Sequence, residues 1–265
     1  MKLWLQLPIE MDPEHPKNKS FFNLVNKAYK LIKRPDTNIT IKSVQNGLKD
    51  LEQISYTSLR FLNEREVLAT ILQAEKEGFD GILNLGYLDP ALKAIKQISS
   101  IPVVGCMETA MHFASLVGHK FAIITSKPEF IPIIQELLNL YQMDHFSITY
   151  KPVRSLSVSF HELINSLDKR DFNPLITDFK TVALGCIDDE AEVLIVGCGL
   201  ICPLLLEAGL KDLEGVPIVN PQLIGLKVAE VMVDLHQAGI PVISRKGLFH
   251  QATPQYMEET MNIFR

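Results

Sequence analysis

The sequence predicts an α/β protein made of two doubly wound, parallel-sheet lobes that are related by a pseudo-twofold axis. Two observations predict this fold. Strand-like and helix-like segments alternate along the 265 residues, which is typical of parallel sheets covered by helices. In addition, the segment 80–86 (DGILNLG) returns as 192–198 (EVLIVGC), so an acid precedes a buried strand in both copies. Each copy continues into a helix-like run and then a strand that opens with an aliphatic residue and proline.

The strand predictions rest on short apolar runs. They cover residues 2–7, 37–44, 81–85, 101–104, 120–125, 146–151, 193–197 and 216–219. The runs at 81–85, 101–104, 121–125 and 193–197 are almost wholly aliphatic, as in parallel strands buried on both faces.

Helical patterns separate these strands. They cover residues 20–33, 61–77, 89–98, 107–117, 128–142, 172–190, 200–210 and 222–238. Pro90 and Pro128 fall where a first helical turn tolerates proline, and Gly78 follows the helix that ends at Glu77. The loop 152–160 and the tail 239–265 are the least patterned segments.

The order of these elements predicts how the lobes divide the chain. We expect a first lobe of residues 1–107, to which residues 222–265 return, and a second lobe of residues 108–221. We expect the active site in the cleft between the two lobes.

Composition excludes several classes of protein. A net charge of −5 gives no basic footprint for nucleic acid, and no apolar run approaches the ~18 residues of a membrane helix. The N-terminus has no signal-peptide pattern, so the four cysteines are interpreted as thiols and a cytoplasmic location is expected. The seven histidines form no H-x-x-x-H pair or Cys/His cluster, so no metal site is expected.

The predicted carboxyl ends of the strands carry a small set of polar groups, where parallel sheets place their binding sites. The candidate residues at these ends are Gly86, Tyr87, Glu108, Thr125, Ser126, Cys198 and Gly199. The backbone N–H groups of Tyr87 and Gly199 lie at strand-to-helix turns, where they could bind an anionic oxygen. The pattern favours a site for a small carboxylate or carbonyl compound, and no glycine-rich phosphate loop is present.

Several segments carry a resemblance to a known family. They are residues 86–92 (GYLDPAL), 101–111 (IPVVGCMETAM), 121–125 (FAIIT), 195–199 (IVGCG) and 215–219 (GVPIV). In their order and spacing the chain resembles the aspartate/glutamate/hydantoin racemase superfamily, in particular its hydantoin-racemase-like branch. The resemblance implies two α/β lobes with an active site between them, catalysis without a cofactor, and a homo-oligomer such as a dimer.

The resemblance also implies a catalytic role for Cys198. Racemases of this type carry one cysteine per lobe, and the two exchange a proton on opposite faces of a carbon α to a carbonyl. Cys198 matches the second cysteine, whereas Gly86 stands at the position of the first. Arylmalonate decarboxylases of the same superfamily share this glycine and cysteine. A single thiol can protonate the enolate left by decarboxylation, but it cannot serve both faces of a carbon.

Three functions therefore stay open. The first is a cofactor-independent racemase or isomerase acting at a carbon α to a carboxylate or amide carbonyl, on an amino-acid or hydantoin-like substrate, with Cys198 as proton donor and acceptor. The second is a single-cysteine decarboxylase of a malonate-like acid, and the third is a non-catalytic small-acid binding protein.

The expected substrate-binding residues are Gly86, Tyr87, Glu108, Thr125, Ser126 and Gly199. Cys106 is interpreted as a core thiol or a displaced second acid, and Asp89 as a cap for the helix that follows it.

Overall fold

Two parallel sheets, one in each half of the chain, form the centre of the molecule. The computed structural model describes residues 1–16, 18–253, 255–256 and 259. The first sheet has the order β2-β1-β3-β4 and contains β1 (Lys2–Gln6), β2 (Asn38–Lys42), β3 (Gly81–Asn84) and β4 (Val103–Gly105). The second has the order β6-β5-β7-β9-β8 and contains β5 (Phe121–Thr125), β6 (Val153–Ser155), β7 (Val193–Val196), β8 (Asp212–Leu213) and β9 (Val216–Val219). All pairings are parallel except that of β8 with β9.

Helices connect the strands and cover the sheets. They are α1 (Lys19–Ile32), α2 (Thr57–Lys76), α3 (Leu92–Ile98), α4 (Cys106–Val117), α5 (Phe130–Leu140), α6 (Phe160–Lys169), α7 (Asn173–Asp188), α8 (Ile201–Glu207) and α9 (Pro221–Gln237). Short 3₁₀ helices lie at Leu51–Ser55, Asp144–Phe146 and Gly247–Phe249. None of the helices in the described ranges combines the length and the apolar composition that a membrane crossing needs. The predicted α/β class with two parallel sheets is confirmed.

The two halves correspond strand by strand. Strand β1 occupies the same position in the first sheet as β5 does in the second, and the other corresponding pairs are β2 with β6, β3 with β7, and β4 with β9. The repeated acid has the same role in both: the Asp80 carboxylate accepts a hydrogen bond from the Lys2 N–H, and the Glu192 carboxylate accepts one from the His119 N–H, each at 2.6 Å. Each acid therefore ties its own strand to the start of the neighbouring one, which explains why it recurs in the sequence.

The packing of α9 links the end of the chain to the first sheet. This helix contacts β3 and β4 as well as α4, and α4 in turn contacts β7 of the second sheet. A Cβ atom at Gly81 in β3 would lie 2.6 Å from Val233 Cγ2 of α9, so glycine permits the close approach of the two elements. On this packing we propose the lobe boundaries given above, near residues 107 and 222.

The predicted strand at 146–151 is wrong. That run contacts the sheet through one isolated bridge, between Ser147 and Phe121, and its Phe146 and Tyr150 side chains are exposed. The sixth strand is β6, within the segment predicted as loop, and it is followed by the unpredicted helix α6. Ser159 and Glu162 form a capping box at the start of that helix.

Candidate active site

A cavity of about 110 Å³ lies at the carboxyl ends of the central strands and is lined by both halves of the chain. Most of its lining is apolar: Leu7, Pro8, Ile9, Met11, Phe21, Leu51, Ile54, Leu85, Leu88, Pro90, Phe130, Phe160 and Leu200. The remaining lining residues are Arg60, Asn63, Gly86, Tyr87, Ser126, Gly197, Cys198, Gly199 and Gln222. An apolar pocket with a few polar groups is typical of a small-molecule site.

Cys198 lies on one wall of this pocket, in the turn between β7 and α8, and is 8% exposed. Burial raises the pKa of its thiol above the usual value. The neighbouring Ser126 side chain and the backbone N–H groups of Leu200 and Ile201 oppose that rise. Because the pKa stays raised, the thiol is protonated at neutral pH and can donate a proton into the pocket.

Gly86 contributes backbone but no side chain to the same pocket. A Cβ atom at this position would lie 2.4 Å from Pro90 Cδ and 2.6 Å from Pro90 Cγ, distances too short for van der Waals contact. The Pro90 ring therefore fills the space that a side chain at position 86 would need. Its neighbours Asp89 and Ala91 have positive φ angles of 45° and 55°, so the turn has an unusual backbone for residues other than glycine.

Two buried polar side chains in the pocket have no partner in the described part of the chain. The Ser126 hydroxyl is 3% exposed and has no hydrogen-bond partner among the described residues, and it lies close enough to the Cys198 thiol to lower the pKa of that thiol. The Gln222 side chain is 6% exposed and likewise makes no side-chain hydrogen bond with a described residue. Its Nε2 would lie 3.4 Å from a Cβ atom at Gly199, which places the amide beside the Cys198 turn. A buried hydroxyl left unpaired, as at Ser126, costs free energy unless a ligand satisfies it.

Tyr87 presents its ring to the pocket and its hydroxyl to the protein interior. The phenol donates a hydrogen bond to Cys202 Sγ at 3.1 Å, and burial raises its pKa well above the usual value. Cys202 itself lies one helical turn beyond Cys198 and does not line the pocket. The Tyr87 hydroxyl therefore joins the turn after β3 to helix α8.

Two of the seven predicted site residues lie outside the pocket. The Thr125 hydroxyl is buried and donates to the Gly197 carbonyl at 3.2 Å. The Glu108 carboxylate forms an ion pair with Lys96 at 2.5 Å. The structure brings together the other five: Gly86, Tyr87, Ser126, Cys198 and Gly199.

Asp89 caps a different helix from the one expected. Its carboxylate accepts hydrogen bonds from the N–H groups of Met107 (3.1 Å) and Glu108 (2.7 Å) at the start of α4, and from the Tyr141 hydroxyl (2.8 Å). The expectation that it caps α3 is wrong, because the positive φ at Asp89 and Ala91 delays that helix until Leu92. Burial raises the pKa of Asp89 to about 7, although these hydrogen bonds act in the opposite direction.

Sequence reasoning missed Gln222 and Arg60. Gln222 lies in the first turn of α9, directly after β9, so the rule about strand ends would have found it had it been applied to that strand. Arg60 reaches the pocket from α2, and no strand end points to it. In the described ranges, no group of three or more His, Cys, Asp or Glu side chains lies close enough to hold a metal.

Comparisons with known proteins agree with this fold. The family described as Asp/Glu/Hydantoin racemase matches residues 19–229. A hydantoin racemase from Pseudomonas sp. (strain NS671) is 26% identical over 212 residues, which are 80% of this chain and 80% of that protein. Among solved structures, an allantoin racemase from Pseudomonas fluorescens has a TM-score of 0.76 at 19% identity, covering 96% of this chain and 98% of that one. An allantoin racemase from Klebsiella pneumoniae has a TM-score of 0.74 at 19% identity, covering 95% and 94%. The chain therefore belongs to the Asp/Glu/hydantoin racemase family.

Proposed function

We propose that this protein is a cofactor-independent enzyme that transfers a proton at a carbon α to a carboxylate or amide carbonyl, with Cys198 as its single acid–base residue. One observation carries the proposal. Of the described side chains that line the pocket, only those of Arg60, Tyr87 and Cys198 are titratable. A guanidinium stays protonated in proteins, and the Tyr87 hydroxyl is turned toward Cys202. Cys198 is left as the proton donor.

The unpartnered polar groups supply what the enolate needs. A carbon next to a carbonyl becomes reactive only if the developing negative charge on oxygen is stabilised by oriented donors. The pocket offers such donors in the Ser126 hydroxyl, the Gln222 amide and the backbone N–H groups of Tyr87 and Gly199. Removing one donor of this kind typically slows an enzyme by about 10²–10³-fold.

The Pro90 ring over Gly86 limits the reaction to one face of the substrate. Racemisation by two thiols needs a second cysteine side chain, and the space for one at position 86 is filled. A one-face reaction does not need it. In the decarboxylation of a malonate-like acid, the bond from the α carbon to one carboxylate breaks, carbon dioxide leaves, and the electron pair remains as an enolate. The Cys198 thiol then protonates the α carbon, and the resulting thiolate takes a proton from solvent.

Racemisation is the second candidate, and family membership favours it. It requires a proton donor on the other face that is not a cysteine at position 86. A non-catalytic binding protein is the third candidate, because the unpaired Ser126 hydroxyl and the Gln222 amide in the pocket lining would serve binding as well as catalysis.

Proton transfer in deuterated water tests the proposal. A panel of small α-substituted carboxylic acids, malonates and hydantoins is incubated with the protein, and deuterium at the α carbon is followed by NMR. We expect incorporation with at least one acid, and a loss of about 10²–10⁴-fold in Cys198→Ala. Cys186→Ala is the control, since Cys186 is a buried thiol outside the pocket. Incorporation that survives Cys198→Ala would contradict the role of this thiol, and ligand binding without any incorporation would favour the binding protein.

A further inference from the structure

Among the described residues that line the apolar pocket, one side chain is cationic. Arg60 lies in the first turn of α2 and lines the cavity together with Leu51 and Ile54 of the preceding 3₁₀ helix. Its Nη1 donates one hydrogen bond, to the Ile54 carbonyl at 3.3 Å. A guanidinium has five N–H donors, so most of its hydrogen-bonding capacity is unused within the described chain.

The position of Arg60 in its helix is electrostatically unfavourable. The N-terminal end of a helix carries a partial positive charge that favours acids and disfavours cations. Helix α2 has no acid in its first turn and no side-chain cap. The helix terminus therefore does not stabilise this cation.

No carboxylate of the described residues neutralises Arg60 by a salt bridge. The acid that it influences is Glu64, one turn further along α2. Burial raises the pKa of Glu64, and a backbone hydrogen bond with Ala91 and the attraction of Arg60 act in the opposite direction. Because no described carboxylate lies within ion-pair distance, the Arg60 guanidinium can pair with an anionic group in the pocket that it lines.

We propose that Arg60 is a specificity-determining residue that binds a carboxylate group, so that the pocket selects an organic anion with an apolar body over its neutral analogue. This inference rests on the proposed function for the location of the site, and it narrows the substrate class. The apolar body packs against side chains such as Leu51, Phe130 and Phe160, and the anionic group pairs with the guanidinium. Hydantoin-like and amide substrates without an acid group would bind less tightly.

Binding of a matched pair of probes tests this. Phenylacetate and phenylacetamide have nearly the same shape and differ in charge. Their dissociation constants are measured by calorimetry with the wild-type protein, Arg60→Gln, Arg60→Lys and the control Arg170→Gln, whose exposed arginine lies at the end of α6. We expect wild type to prefer the acid, Arg60→Gln to lose about tenfold to hundredfold in affinity for the acid alone, and Arg60→Lys to fall between them.

Several results would overturn the inference. In Arg60→Gln, these results are an equal loss of affinity for both probes, or a preference for the acid that survives the substitution. In wild type, they are equal affinity for both probes, or no binding of the acid at millimolar concentration. The same titrations in Cys198→Ala separate this inference from the proposed function. If the acid preference persists there while no proton transfer is found in wild type, the proposed reaction fails and the role of Arg60 stands.

Discussion

At the scale of single residues, two effects on Cys198 act in opposite directions. Burial raises the pKa of the thiol, and the donors around it lower the pKa, but burial is the larger effect. A thiol of this kind stays protonated at neutral pH, so little thiolate is present to act as a base, and its proton is available to a strongly basic enolate. The residue is therefore better suited to protonating an enolate than to removing a proton from an unactivated carbon.

The pH dependence of the rate follows from this raised pKa. If Cys198 acts as an acid, turnover stays level through neutral pH and falls only at alkaline pH, above the ordinary range of a thiol, where Cys198 loses its proton. Initial rates between pH 6 and pH 11 measure this profile. A rate that rises as Cys198 ionises would show that the thiolate is the active form and would favour proton abstraction.

Under the proposed function, Gly86 stands in the place of a first catalytic cysteine, and Pro90 fills the space that a side chain there would need. Gly86→Ala places a Cβ atom against the proline ring, so we expect a loss of about 1–3 kcal/mol in the free energy of unfolding. Urea denaturation measures it. Gly185→Ala in α7 is the control, because its Cβ atom would meet only the Arg154 guanidinium, at 3.0 Å, and alanine favours a helix, so it should cost less stability than Gly86→Ala.

The same geometry predicts how a second thiol could be introduced. Gly86→Cys alone should not produce racemisation, whereas Gly86→Cys combined with Pro90→Ala removes the ring and should. Racemisation by the single variant as fast as by the double one would mean that the Pro90 ring does not block position 86.

At the scale of secondary-structure elements, burial patterns account for what the sequence could predict. Strands β3, β5 and β7 are buried along their whole length, so their aliphatic runs were recognisable. The run 146–151 (FSITYK) is rich in aromatic and β-branched residues but exposes two aromatic rings, and the short β6 has no apolar run of its own. Local composition cannot report which of two neighbouring segments reaches the sheet edge.

The candidate site likewise has parts that the sequence could predict and parts that it could not. The turns after β3 and β7 could be located from the repeat, whereas Arg60 depends on how α2 packs across the pocket. The cap on α4 was missed because it comes from Asp89, 17 residues before the helix begins, and such a tertiary contact leaves no local pattern. Sequence identified the strand ends but not the elements that fold over them.

The raised pKa of Asp89 leads to a prediction about stability. Its pKa is raised to about 7 in the folded protein, so between about pH 4 and pH 7 the folded state holds a proton that the unfolded state has lost. This contribution to stability is complete below about pH 4 and is lost as the pH rises to about 7. We expect the free energy of unfolding of wild type, relative to Asp89→Asn, to fall across this interval and then level off. Urea unfolding of both proteins at several pH values measures this difference. A difference that does not change with pH would contradict the raised pKa.

At the scale of the whole molecule, two halves with the same strand order carry unequal groups into one pocket. The second half brings Cys198 and Ser126, and α9 brings Gln222, whereas the turn after β3 brings Gly86 closed over by Pro90. The Tyr87 hydroxyl and the Asp89–Tyr141 hydrogen bond join the two halves beside this pocket. Chemical asymmetry in a repeated fold is what the one-face reaction requires.

The stereochemistry of proton transfer tests this central claim most directly. Once a substrate is found, the reaction is run in deuterated water and the configuration of the deuterated product is determined by NMR with a chiral reagent. The enantiomerically pure product is then returned to the enzyme. We predict one deuterated enantiomer and no appreciable racemisation of the returned product, because one thiol serves one face. Deuterium on both faces, with rapid racemisation of the pure enantiomer, would contradict the account and show that a second proton donor acts in this pocket.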